Sequence, residues 1–408
     1  MRVLFLSYWF PYPLSNGSRI RIYNFIKALS NQHQVYLISL LQPESNPEDA
    51  AQLADICTVV SLHGERPFAS NSLKSVAGLF STRPRSAVAT YDPAVRAAVQ
   101  QAIERINPQV IVVSTLGVVE YVLGNQHIPS VLLDHNCEFA LLKRSAALVP
   151  NRLQRWRYTL GWHKFARWEA KICQQFTAVV MPTADDQAEM RNYAPHLRNI
   201  HVIPNGADAE HFDPTQWSPE PNQLLYNGPV TYHANLDAVE YYSAAIYPLL
   251  CTQFPHLKLL VTGHNYGVDL RRVQRCPGIE FSGYVPDIRE LLYQSAICVV
   301  PLRKGAGMRL KIPEAMAAGV PVVSTSLGAE GLPALHEEHL LLADTPAAFA
   351  AAVERLLTDR ALAQRLRTNA RRLIEEQYHW PVLGDTFTQL VERVATDTRP
   401  LHLQALPA

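Results

Sequence analysis

The stretch AICVVPLRKGAGMRLKIPEAMAAGVPVVST, residues 296–325, decides the fold. It reads as an apolar strand (AICVVPL, 296–302), a loop with two glycines and several cations, a short helix (PEAMAAG) and a second apolar strand (VPVVST, 320–325). Pro313 suits the first turn of a helix, where its missing N–H has no intrahelical partner, and Gly319 suits the residue just past the end. Strand, helix, parallel strand is a βαβ unit, and a parallel strand covered on both faces is continuously apolar, as these two are. The free N–H groups and positive dipole end of the helix are expected to face the loop. There Gly305 and Gly307 let a ligand approach the backbone, and Arg309 and Lys311 add two positive charges. A diphosphate fits this arrangement. Glu314 has two readings, an acceptor for the vicinal hydroxyls of a ribose or an acid in the favoured first turn of a helix.

The same alternation of apolar runs and helical stretches extends outward in both directions. Strands are predicted at VLFLS (3–7), QVYLISL (34–40), CTVVSL (57–62), QVIVVS (109–114), SVLLD (130–134) and TAVVMPT (177–183). The segment AEHFDPTQWSPEPNQ (209–223) has three prolines and no periodicity, and beyond it the pattern restarts at LLYNG (224–228), LKLLVTG (257–263), IEFSG (279–283) and LLLAD (340–344). A chain of 408 residues exceeds what one core usually serves. The expectation is an α/β protein of two tandem Rossmann-like, doubly wound domains, 1–207 and 208–376. Such domains place a ligand at the carboxyl ends of their strands, here in the cleft between the two.

Composition narrows the function. Lys and Arg number 37 against 36 Asp and Glu, so the chain as a whole lacks the basic excess of a nucleic-acid binder. Its six cysteines show no metal-ligand spacing and read as reduced core thiols. The apolar run at the N-terminus is too short for a signal sequence, and none elsewhere reaches membrane-span length, which predicts a soluble, cytoplasmic protein. One segment is locally basic. LLKRSAALVPNRLQRWRYTLGWHKFARWEAK (141–171) carries eight Lys or Arg against one Glu, interleaved with Trp156, Tyr158, Trp162, Phe165 and Trp168. It suits either a helix lying peripherally on an anionic membrane or a long helix with an aromatic core face and a solvated basic face.

GAGMRLKIPEAMAAGVPVVST resembles the nucleotide-sugar motif of the retaining glycosyltransferases of family 4, of GT-B fold, especially bacterial sugar transferases of exopolysaccharide clusters. FPYPLSNGSRIRIYNFIKALS resembles their N-terminal glycine loop, LLDHNCE the segment with the acceptor-side histidine, and VIPNGAD the interdomain link. YNGPVTYHANLDAVEYY and FSGYVPDIRELLYQSAICVVPL resemble second-domain elements, and EEQYHWPVLGDTFTQLVERV a C-terminal helix that crosses back, here within 377–408. The resemblance implies retaining transfer of a sugar from a nucleoside diphosphate donor to a glycan or lipid-linked acceptor, with no bound metal. It assigns Arg309 and Lys311 to the diphosphate, the Gly305, Ala306, Gly307 and Met308 loop, Glu314 and Glu330 to the donor, Gly17 to a cover over the diphosphate, and His135 to the sugar and acceptor.

Several assignments have plainer alternatives. His135 ends an apolar strand, a ligand position in this fold, although a lone histidine is also a common structural residue. Asn16, Gly17 and Ser18 also read as a helix cap, and Glu330 as a solvated loop acid. Ala306 stands where the family's E-x7-E motif has its first Glu, and the stretch after the second domain's first strand lacks the Arg and Lys of many relatives. Both departures bear on the donor sugar. The missing first Glu is the best argument for a rival reading, a non-catalytic scaffold of the same fold binding a nucleotide sugar or a membrane partner. A nucleoside-diphosphate-sugar epimerase is a third reading, one expected to carry more acidic residues around the cleft.

Overall fold

A computed structural model of the chain describes residues 1–396 apart from Leu148, Arg272, Gln274, Arg275 and Ala306. It has two compact units, Met1–Pro204 together with Leu383 onward, and Asn205–Val382. The sequence places these divisions at 207/208 and 376/377; the backbone contacts change at 204/205 and 382/383.

The first unit is built on β1 (Arg2–Ser7), β2 (Gln34–Leu41), β3 (Thr58–Gly64), β4 (Val110–Ser114), β5 (Ser130–Leu133), β6 (Ala178–Met181) and β7 (Ile200–Val202). They form one parallel sheet in the order β3-β2-β1-β4-β5-β6-β7. Val3, Leu4, Phe5 and Leu6 are all fully buried, as helices on both faces require of a central strand. The sequence predicts six of these strands and misses β7, whose three residues are too few to stand out from a loop.

The second unit holds β8 (Glu220–Asn227), β9 (Lys258–Thr262), β10 (Ile279–Gly283), β11 (Ser295–Val300), β12 (Val322–Ser324) and β13 (Leu341–Leu342). Their order is β10-β9-β8-β11-β12-β13, again parallel. β8 starts earlier than the three prolines of the 209–223 segment suggest, and includes the last of them, Pro221. The pairing skips between Ser295↔Glu220 and Ile297↔Leu224, and this irregularity admits Pro221, which has no N–H for a regular ladder.

Each sheet reverses its winding once, between β1 and β4 in the first unit and between β8 and β11 in the second. Loops leaving two such strands diverge and open a crevice at their carboxyl ends. The helix Trp380–Thr396 passes from the second unit into the first at Leu383. Within the first unit Phe387 stacks on Phe25 with centroids 4.4 Å apart, and His33 Nε2 lies 3.1 Å from Glu392. Cys57, Cys137, Cys173 and Cys298 are buried free thiols, whereas Cys251 and Cys276 keep part of their surface exposed. No helix among the described residues is long and apolar enough to cross a membrane.

Candidate functional site

The crevice between β8 and β11 gathers the charged residues of the 303–314 segment. Lys311 Nζ donates to Asn235 Oδ1 at 3.1 Å and sits 4.0 Å from the centre of the Tyr226 ring. Tyr226 in turn donates its hydroxyl to the same Asn235 oxygen at 2.7 Å. Glu314 Oε2 accepts from Asn227 Nδ2 at 3.0 Å, and Asn227 Oδ1 accepts from Thr262 Oγ1. Burial pushes the Lys311 ammonium down to about 7, with the Arg309 charge acting in the same direction and the Cys298 thiol and Glu314 opposing it. Burial pushes the Glu314 carboxyl up to about 7, opposed by Lys311 and the Asn227 hydrogen bond. Both side chains keep some exposed surface, so a ligand can reach them.

Two glycines keep the backbone bare here. Gly228 has φ +153°, and a β-carbon on it would lie 2.8 Å from Lys311 Nζ and 2.9 Å from Asn235 Nδ2. Gly305 has φ +115°, and its β-carbon would lie 3.0 Å from an Arg309 nitrogen. Side chains at either place would fill the space beside the two cations. Arg309 lies 3.9 Å from Glu330, both largely buried. Glu330 is therefore not the solvated loop acid of the plainer reading. Ala306 lies outside the described residues. Gly307 has φ +78°, and the Met308 side chain belongs to the hydrophobic core.

The helix after this loop differs from expectation. It spans Lys311–Ala317, starting two residues before Pro313 and lasting only seven residues. Leu310 already has helical angles, the Ile312 N–H donates to Arg309 O, and the Glu314 N–H donates to Leu310 O. These bonds occupy N–H groups that the sequence reading leaves free for a ligand, so the positive charge of the site rests on side chains. Arg303 and Lys304 do not add to it freely, since both pair with Asp237 at 2.9 and 2.8 Å.

Asn227, Tyr226 and Asn235 escape the sequence reading because Asn and Tyr at a strand end are common. The single available signal is YNG, an Asn-Gly pair at the carboxyl end of an apolar strand. Also unforeseen is a stacked pair just past β9 and β10, His264 on Tyr284 with centroids 4.9 Å apart and planes 7° off parallel.

In the first unit, His135 follows β5 and lies beside β4. Its Nε2 is 2.9 Å from Ser114 Oγ, and its N–H donates to Asp134 Oδ1. Burial, helped by the Arg21 charge, pushes the imidazole down to about 3, so it is neutral at ordinary pH. Arg21 is itself buried, donating to the carbonyls of Ile203 and Pro204. Gly17 is the first residue of the helix Gly17–Ser30, and Asn16 caps it by accepting from the Arg19 N–H.

One group among the described residues has metal-ligand geometry: ligand atoms of Asp208, Glu210 and His379 lie within 4.8 Å of one another. Asp208 accepts from the Glu210 and His211 N–H groups and His379 Nδ1 from that of Ala209, which accounts for the cluster as a local backbone lock.

Comparison with known proteins gives the same picture on both halves of the chain. The profile "Glycosyltransferase Family 4" matches residues 15–211, and "Glycosyl transferases group 1" matches residues 221–359. A glycogen synthase of Mycobacterium tuberculosis is 28% identical over 233 residues, 53% of this chain and 55% of the relative. The chain spans only 28 to 55% of the length of the first curated relatives it matches. Among solved structures, sucrose-phosphate synthase from Thermosynechococcus elongatus superposes with a TM-score of 0.70 at 16% identity, covering 97% of this chain and 99% of that one. HepE of Anabaena, in complex with UDP-glucose, superposes with a TM-score of 0.66 at 14% identity, covering 96% and 100%. At these identities the likeness establishes the fold, GT-B, with two doubly wound α/β units.

Proposed function

We propose, for a chain that belongs to the glycosyltransferases of group 1 and family 4, that it moves a sugar from a nucleoside diphosphate donor to a glycan or lipid-linked acceptor in the cytoplasm. The transfer retains the anomeric configuration, needs no metal, and serves synthesis of an exopolysaccharide or other cell-surface glycan. The observation that carries this reading is Lys311, held on Asn235 and Tyr226 beside the bare backbone of Gly228, with Arg309 across the bare backbone of Gly305. A departing diphosphate develops negative charge, and fixed cations in a poorly hydrated crevice stabilise it without reorganising. HepE, of the same fold, has been solved with UDP-glucose, which supports a sugar nucleotide as donor.

Glu314 accepts the ribose hydroxyls, and Glu330 positions Arg309. A histidine that protonates only near pH 3 is too weak a base to take an acceptor proton. His135 therefore acts as a neutral polar contact to the sugar, and the leaving phosphate takes the proton, a course that goes with retention by attack on the face the donor leaves.

Transfer of radiolabelled sugar from UDP, GDP and dTDP donors into a lipid extract, with donor hydrolysis and isomerisation followed alongside, tests the proposal. Labelled lipid or glycan supports it. Nucleotide binding without turnover would leave a scaffold, and isomerised donor an epimerase.

A further inference from the structure

Apart from Leu14 and Val202, the exposed large apolar side chains described in the first unit collect in two stretches far apart in sequence. Leu73 and Phe80 are each 90% exposed, and Val76 and Leu79 accompany them on and just after the helix Leu73–Ala77. Leu153, Trp156 and Leu160 are 69%, 60% and 52% exposed on the helix Arg152–Cys173. For this second helix the sequence leaves open an aromatic core face beneath a basic one, and the structure divides it in two. Trp168 is buried, and Trp162 and Phe165 pack on the core. Every residue from Arg152 to Tyr158, by contrast, is exposed. Seven consecutive exposed residues make about two full turns, so this half has no buried side, and no core contact explains its Trp and Leu.

The two stretches meet. Lys164 Nζ donates to the Gly78 carbonyl at 2.7 Å, directly after the Leu73–Ala77 helix. Leu153, Trp156, Leu160 and Lys164 follow one another at spacings of three and four, along one side of their helix. The apolar stripe thus runs up to the residue that touches the other stretch. Charge singles out the same region. Residues 66–91 and 139–168 contain eleven Lys and Arg and no Asp or Glu, in a chain whose totals are 37 and 36. Arg66, Arg83 and Lys143 pair with acids from neighbouring segments. Lys74, Arg155 and Arg157 stand among the apolar side chains, all three exposed.

We propose that this surface docks the protein on an anionic lipid bilayer. Leu73, Phe80, Leu153, Trp156 and Leu160 enter the boundary between headgroups and acyl chains, and Lys74, Arg155 and Arg157 face the headgroups. A phase that is apolar within and anionic at its surface complements both features at once. A second copy of the chain would instead bring two strongly cationic faces together. The docking surface lies wholly in the first unit and stands whether or not the transfer reading holds.

The test is co-sedimentation of the full chain with phosphatidylcholine vesicles, with and without phosphatidylglycerol, at low and high salt. Wild type should pellet with the anionic vesicles only, and less at high salt. Leu73→Ser with Phe80→Ser should weaken binding at least about tenfold, since two large apolar side chains no longer leave water. Arg155→Gln with Arg157→Gln should weaken it and flatten the salt dependence. Because all four side chains are exposed, melting curves of the variants should match wild type. Should one melt early, wild-type fluorescence decides instead: brominated acyl chains should quench Trp156, read as the difference from Trp156→Phe. Equal pelleting with both vesicles, none with either, or quenching unchanged in Trp156→Phe would overturn the proposal. So would an RNA- or self-association that the Leu73 and Phe80 changes abolish while vesicle binding stays intact.

Discussion

Lys311 holds its proton only weakly, and a bound diphosphate would raise its proton affinity. The complex then carries more protons than the free protein, so nucleoside diphosphate affinity should fall as pH rises above 7, by up to about tenfold per unit. Calorimetric titration from pH 6 to 9 checks this, and Lys311→Met should flatten the curve. Folding shows the opposite slope. The unfolded lysine stays protonated to its ordinary 10.5, so the contribution of Lys311 to stability rises with pH between about 7 and 10.5. Arg309→Ala should weaken nucleotide binding at least about tenfold, as a lost charge-assisted contact is worth roughly 1.5 to 3 kcal/mol. Glu314 supports a sharper test. Glu314→Gln keeps an acceptor for Asn227, so melting should hold, while a ribose contact would lose roughly 1.5 to 3 kcal/mol of affinity. A 2′-deoxy donor should lose little more in that mutant, and additive losses would show that carboxylate and hydroxyl do not meet.

Elements hold these residues in place through packing that can be probed separately from the site. In the Trp380–Thr396 helix a β-carbon on Gly384 would lie 2.5 Å from that of Ala28. Gly384→Val should therefore destabilise the first unit by roughly 1 to 3 kcal/mol through overpacking, despite the better side chain for a helix. Phe387→Ala, which empties the place stacked on Phe25, should cost about 3 to 5 kcal/mol. Denaturant titration measures both, and nucleotide affinity at low denaturant should be unchanged, because neither residue lies in the unit that holds Lys311. The loop helix shows why element boundaries mislead. Pro313 marks a first turn correctly, but the turn already begins at Lys311, which moves Glu314 past the free N–H groups and into the hydrogen-bonded ladder.

Across the whole molecule each unit has its own apolar core, one cluster running from Ala207 to Tyr378 and the other from Leu4 to Ile200. Calorimetric unfolding should accordingly resolve two transitions, only one of which rises with nucleoside diphosphate, by about 2.7 kcal/mol when the ligand stands at 100 times its Kd. A single transition that moves as a whole would show the units to unfold together. Local pattern was enough for the tandem α/β architecture, because parallel strands buried on both faces must be apolar throughout and their crossover helices must alternate with them. It was also enough to single out Arg309, Lys311 and Glu314 as candidates, since glycines and charges packed into one short loop stand out wherever the chain folds. What surrounds those residues could not be read that way. Asn227 reaches Glu314 across 87 residues, and Asn235 reaches Lys311 across 76, because the sheet sets β8 beside β11. The same holds for Lys164 and Gly78, 86 residues apart. Strand order, and the burial that moves Lys311 and Glu314 toward neutrality, are properties of the packed chain, because each depends on which distant segments exclude water from a side chain.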